Sequence, residues 1–196
     1  MPRTNVNTLS LLVSVTSSPS KGFKSLISSV TFYHLPKIIF LDIDGVLNCR
    51  TSKSYCHDDE CGLITGIDSD KVKRLAKIVE ATNAKIVLSS DWKVGWEKYY
   101  ITRKPSHVKY LDNHLKKKGD LTIFDKTPLS HNGYWRGEEI LTYLNLHSDI
   151  THYVILDDTF FEDFNCKEIK EHLVLTDYII GLTDNDVEKA IKILGE

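Results

Sequence analysis

The run Lys37-Ile38-Ile39-Phe40-Leu41-Asp42-Ile43-Asp44-Gly45-Val46 constrains the fold more than any other part of the chain. An apolar stretch of β-branched and aromatic residues leads into two carboxylates and a glycine, the pattern of a buried strand that stops at a turn. A carboxylate at the end of a buried strand costs desolvation free energy unless something compensates it. Two of them, two residues apart, sit on the same side of an extended chain. They repel unless a cation or a shared proton lies between them. Mg²⁺ is the usual answer, because it takes oxygen ligands and keeps several waters. A calcium loop does not fit, since an apolar strand precedes the acids and no further spaced acids follow Gly45.

The pattern recurs in Tyr153-Val154-Ile155-Leu156-Asp157-Asp158, again an apolar strand that ends in acids. A third strand, Lys85-Ile86-Val87-Leu88, ends in Ser89-Ser90 and offers hydroxyl donors. Between these runs lie helical periods. Val72, Leu75, Ala76 and Val79 share one face of a helix that Ser69 is placed to cap. Strand, helix and strand in alternation predict βαβ units and a parallel sheet with helices on both faces, a three-layer α/β architecture. Such sheets present the carboxyl ends of their strands to one crevice. Asp42, Asp44, Asp157 and Asp158 are therefore expected to converge there on one divalent ion.

The intervening segments are less regular. Asn48 to Ile67 reads as a polar, irregular flap over that crevice. The stretch from Trp92 to Trp135 carries Trp92, Trp96, Tyr99, Tyr100, Tyr110, Tyr134 and Trp135, together with Lys116-Lys117-Lys118. The lysines read as a solvated helix end. The aromatics suit either a core or a rim on which bases stack. Leu121-Thr122-Ile123-Phe124 reads as a strand. Arg136 to Leu146 reads as a helix with Ile140, Leu141 and Leu144 inward. Glu138 and Glu139 suit its N-terminal dipole, whereas Arg136 suits it only if an anion faces it. Lys126 is the alternative cation. Leu173 to Leu175 forms a last short strand, and Thr183 with Asp186 opens a terminal helix carrying Val187, Ala190, Ile191 and Leu194.

Composition sets outer bounds. The chain has 196 residues and a formal net charge of −2, so one core is expected and no global basic field argues for nucleic acid. No apolar run approaches the roughly 20 residues of a membrane span. Cys49, Cys56, Cys61 and Cys166 form no C-x-x-C pair. A zinc site from Cys49, Cys56, His57 and Cys61 competes with free thiols on a loop, and free thiols of a reducing, cytoplasmic setting fit better. Residues 1–34 contain no Asp or Glu and many Ser and Thr. A disordered tail, a transit peptide and a start codon placed too early compete to explain them. The favoured reading is a non-structural extension, with the domain occupying 35–196.

With these residues in hand, the chain resembles the haloacid dehalogenase (HAD) superfamily of phosphatases and phosphotransferases. The likeness runs from Pro36 to the C-terminus. The superfamily's Asp-x-Asp-Gly falls on Asp42 and Asp44, its Ser or Thr after a strand on Ser89, its Lys or Arg at a helix start on Arg136, and its closing acidic pair on Asp157 and Asp158. The segments Leu88-Ser89-Ser90-Asp91-Trp92-Lys93, Arg136-Gly137-Glu138-Glu139-Ile140, Thr176-Asp177 and Gly181-Leu182-Thr183 are similar to a narrower branch, which includes the phosphatase-like domain of the "Swiss Army Knife" RNA repair proteins.

The resemblance implies a Mg²⁺-dependent phosphomonoesterase with Asp42 as nucleophile and Asp44 as acid and base. Ser89, or Ser90 if the strand runs longer, would bind the phosphoryl group. Arg136, with Lys126 as the second choice, would neutralise it. Asp158 and Asp157, the Asp42 carboxylate and the Asp44 carbonyl would hold the metal. An acid two residues beyond the nucleophile favours phosphate esters over halides. The intervals between motifs leave room for a small cap at most, so the site is expected to be open. That suits a nucleic-acid end, a nucleotide or a range of small phosphates, and a binding module without turnover is the reading outside enzymes.

Overall fold

β1 (Lys37–Leu41) is the middle strand of the main sheet, and its Ile39, Phe40 and Leu41 have no exposed surface. The computed structural model describes residues 36–99, 104–130 and 135–195. The extension read over residues 1–34, Tyr100 and Tyr134 lie outside them. β1 is followed by a hairpin of β2 (Tyr55–Asp58) and β3 (Gly62–Thr65), then α1 (Ser69–Thr82) and β4 (Lys85–Leu88). Next come α2 (Ser106–Gly119), β5 (Ile123–Lys126), α3 (Arg136–Leu146) and β6 (His152–Asp157). α4 (Lys167–Lys170), β7 (Leu173–Leu175) and α5 (Asp184–Gly195) complete the chain. The main sheet is parallel throughout, in the order β5-β4-β1-β6-β7.

Alternation along β1 explains the layers. Ile39 and Leu41 point into one core with Val72, Leu75 and Ile78 of α1, Val108, Leu111 and Leu115 of α2, and Val187, Ala190 and Leu194 of α5. Ile38 and Phe40 point into the other, with Ile140 and Tyr143 of α3 and Ile169 of α4. Both faces are covered, so these strands read as continuous apolar runs. Phe40 meets Tyr143 and Tyr153 edge-on, at centroid distances of 5.6 and 5.9 Å. This is the three-layer, Rossmann-like α/β fold that the sequence pattern predicts.

Local differences have physical causes. Asp68, not Ser69, takes the cap position of α1, yet its carboxylate turns away to Ser52 Oγ and Lys71 Nζ. β5 begins two residues later than expected. Leu121 is buried because its amide returns to Leu115 O over the left-handed Asp120 that ends α2, so it belongs to a helix terminus and not to a strand. The flap contains a two-stranded hairpin where irregular chain is expected. Its mixed exposure hides the alternation by which strands are recognised. At the C-terminus, Thr183 and Asp186 exchange the reciprocal bonds of a capping box. Lys116, Lys117 and Lys118 form the exposed last turn of α2.

Candidate active site

The sheet stays paired just beyond its strand ends, and this draws the polar residues together. The Asp42 amide donates to Leu156 O at 2.9 Å and the Ser89 amide to Leu41 O at 2.8 Å. Asp42, Ser89 and Asp157 thus share one edge. After Asp42 the chain curls around Ile43 O, which accepts from the amides of Val46, Leu47 and Asn48. The curl places Gly45 at φ +70°, and a methyl carbon there would collide with the Asp158 carboxylate. Only glycine lets that carboxylate come so close.

Asp42, Asp157 and Asp158 each offer a carboxylate oxygen, and these oxygens lie within 4.8 Å of one another. Burial, reinforced by the Asp157 charge, pushes the Asp42 carboxyl well above its usual range, against the pull of Arg136 and the Ser90 hydroxyl. Burial likewise lifts Asp157 to about 7 and raises Asp158. Three hard oxygen donors that repel one another are the donor set a small divalent cation fits.

The expected fourth carboxylate does not join them. Asn48 Nδ2 donates to Asp44 Oδ1 at 2.7 Å and Trp92 Nε1 donates to Asp44 Oδ2 at 3.0 Å. Two N–H donors draw this exposed side chain aside, so three acids converge, not four.

The α3 N-terminus supplies the cation. Arg136 Nη1 lies 3.7 Å from Asp42 Oδ1, and Nη2 lies 3.4 Å from Asp91 Oδ1. Its guanidinium also stands 5.5 Å from the centre of the Phe161 ring. Lys126 takes another course, pairing with Glu97 at 2.8 Å. Ser89 and Ser90 are both buried. The Ser90 hydroxyl is engaged with Asp42, while Ser89 Oγ and Arg136 Nη1 have no hydrogen-bond partner among the described residues.

Sequence reasoning misses three contributors. Asn48 is buried in the curl, and its Oδ1 also accepts from the Gly45 amide at 3.1 Å. Trp92 is a donor to the site as well as a core residue. Lys93 is 2% exposed and donates to Thr127 Oγ1, Pro128 O and Glu139 Oε2. No periodicity marks these roles, because their partners lie on distant segments. Trp96 is core, whereas Tyr99 and Trp135 are 82% and 41% exposed. Cys49, Cys56, Cys61 and Cys166 are free thiols, and Cys49, Cys56, His57 and Cys61 form no metal-holding group among the described residues.

No described helix is long and apolar enough to cross a membrane. No curated protein matches the chain. A family model described as the HAD domain in Swiss Army Knife RNA repair proteins matches residues 38–187, from β1 into α5. The parallel sheet, the acid pairs at its edge and this match place the chain in the HAD superfamily of hydrolases, as a member of the family of HAD domains found in Swiss Army Knife RNA repair proteins.

Proposed function

We propose that this chain is a Mg²⁺-dependent phosphomonoester hydrolase that works through a phosphorylated Asp42. One observation carries the reading: Ser89 Oγ and Arg136 Nη1 are buried donors without hydrogen-bond partners among the described residues, and Arg136 stands beside Asp42. Unmet buried donors are costly and call for an acceptor. A phosphoryl group held against Asp42 supplies acceptor oxygens for both.

The sequence of events follows from the groups present. Asp42 attacks phosphorus, an Asp42–phosphorus bond forms, and the ester P–O bond breaks. Asp44 gives its proton to the departing oxygen. It then takes a proton from the water that attacks the aspartyl-phosphate, which releases inorganic phosphate and restores both acids. Arg136 offsets the charge of the phosphoryl oxygens. Asp42, Asp157 and Asp158 would hold Mg²⁺. When bound, the ion neutralises phosphoryl charge and fixes its orientation.

The preferred substrate is a phosphorylated nucleic-acid end or nucleotide. The family's RNA-repair description favours it, as does a site that, over the wholly described interval from β1 to α1, carries only a small hairpin. The four free cysteines suit a reducing compartment, the cytoplasm. A panel of 4-nitrophenyl phosphate, nucleotides, and 3′- and 5′-phosphorylated oligonucleotides, assayed with Mg²⁺ and with EDTA, tests the reading. Metal-dependent phosphate release is expected, greatest on an oligonucleotide end. No release from any member would leave a binding module.

Arg136→Ala is expected to lower kcat/KM by roughly one to two decades, the equivalent of losing a charge-assisted contact of about 1.5–3 kcal/mol. Lys126→Ala is expected to change it far less, because Lys126 is spent on Glu97. Steady-state kinetics on both variants decide the matter. A more damaged Lys126 variant would move the phosphate-facing cation to the end of β5.

A further inference from the structure

We propose that Trp92 is a positioning residue for Asp44, holding its carboxyl where the proton must be delivered to the leaving oxygen. The inference rests on the phosphomonoesterase reading and goes beyond it. Asp44 has an exposed side chain at the tip of a curl, and such a side chain would ordinarily sample several rotamers. Here each of its oxygens accepts one N–H, from Asn48 at 2.7 Å and from Trp92 at 3.0 Å.

The Trp92 donor is itself firmly built. Trp92 is 5% exposed and lies in a 3-10 turn, Asp91–Lys93, and its own amide is capped by the Ser90 hydroxyl. Lys93 bolts the end of that turn to Thr127, Pro128 and Glu139. His107 meets the indole edge-on, at a centroid distance of 6.0 Å. A buried indole N–H needs an acceptor, and the one within reach is a carboxylate 48 residues away in sequence. The turn that carries Trp92 also carries Asp91, the second partner of Arg136. It therefore couples the placement of the acid to that of the cation.

The test is the dependence of rate on the leaving group. 4-Nitrophenolate departs without a proton, whereas an alkoxide needs one, so a misplaced acid penalises alkyl esters selectively. The kcat/KM of Trp92→Phe is measured on 4-nitrophenyl phosphate and on glycerol 2-phosphate, since kcat/KM covers the steps up to transfer onto Asp42. The ratio of alkyl to aryl activity is expected to fall by roughly tenfold or more. An unchanged ratio, whether both activities fall together or neither does, overturns the positioning role and leaves the phosphomonoesterase reading standing. Wild-type protein that releases phosphate in Mg²⁺ from neither ester, nor from any nucleotide or phosphorylated oligonucleotide, overturns both. Should Trp92→Phe fail to fold, 3-benzothienylalanine at position 92 keeps the ring's shape and removes only the N–H. The same fall in ratio is then expected, and an unchanged ratio overturns the proposal.

Discussion

Asp42→Asn is expected to abolish turnover while the protein keeps its fold. Losing the nucleophile removes the covalent route entirely, so kcat should drop by at least about 10³-fold. Stability should move the other way, or not at all. Burial and the Asp157 charge hold the Asp42 carboxyl above the value it has in the unfolded chain. An acid raised in this way subtracts stability once the pH exceeds the unfolded value, and the deficit is complete above the folded one. An amide carries no such charge. Melting in EDTA near pH 8 should therefore give a temperature equal to or above wild type. Activity above a few per cent of wild type would remove Asp42 from the nucleophile's role.

Lys93→Met is expected to cause the largest loss of stability. The Lys93 and Glu139 side chains are 3% and 11% exposed, so the pair is shut away from water. Burial lowers the Lys93 ammonium, and Glu139 is the first group to oppose that. Taking away one partner strands the other, at a cost of about 3–5 kcal/mol. At roughly 2–4 °C per kcal/mol for a domain of this size, the midpoint should fall by roughly 6–20 °C. Glu139 lies one turn beyond Arg136, so the helix that aims the guanidinium loosens as well. The double variant Lys93→Met/Glu139→Leu should recover most of the loss, because an apolar pair has no stranded charge. A double variant as unstable as the single one would show that Lys93 matters for its bonds to Thr127 and Pro128 instead.

These residues also mark what could be read from the sequence. β1 and β6 were legible because a strand buried on both faces is apolar along its whole length and announces its end with an acid. The same logic set Asp42, Asp157 and Asp158 at one edge. It could not say that Asp44 turns aside, because Trp92 Nε1 and Asn48 Nδ2 reach it through the folded chain and not through the strand. Lys93 and Glu139 are 46 residues apart, and each looks like a surface charge in its own segment. The hairpin was hidden because Tyr55 and Leu63 are exposed while Cys56 is buried, a pattern with no clear face. Leu121 mimics a strand residue for the opposite reason: it is core, but it is held there by a helix end.

The central place of β1 carries a consequence in time. Ile39 pairs with Ile86 on one side and with Val154 on the other. The second partner is made roughly 115 residues after the first strand, which at ribosomal rates of about 5–20 residues per second is a wait of roughly 6–23 s. Throughout that interval a strand that is buried on both faces in the finished fold has an unfilled edge. Newly made chains are thus most exposed to mispairing before β6 emerges. A message that slowed synthesis between α3 and β6 would lengthen that hazard without altering a single residue.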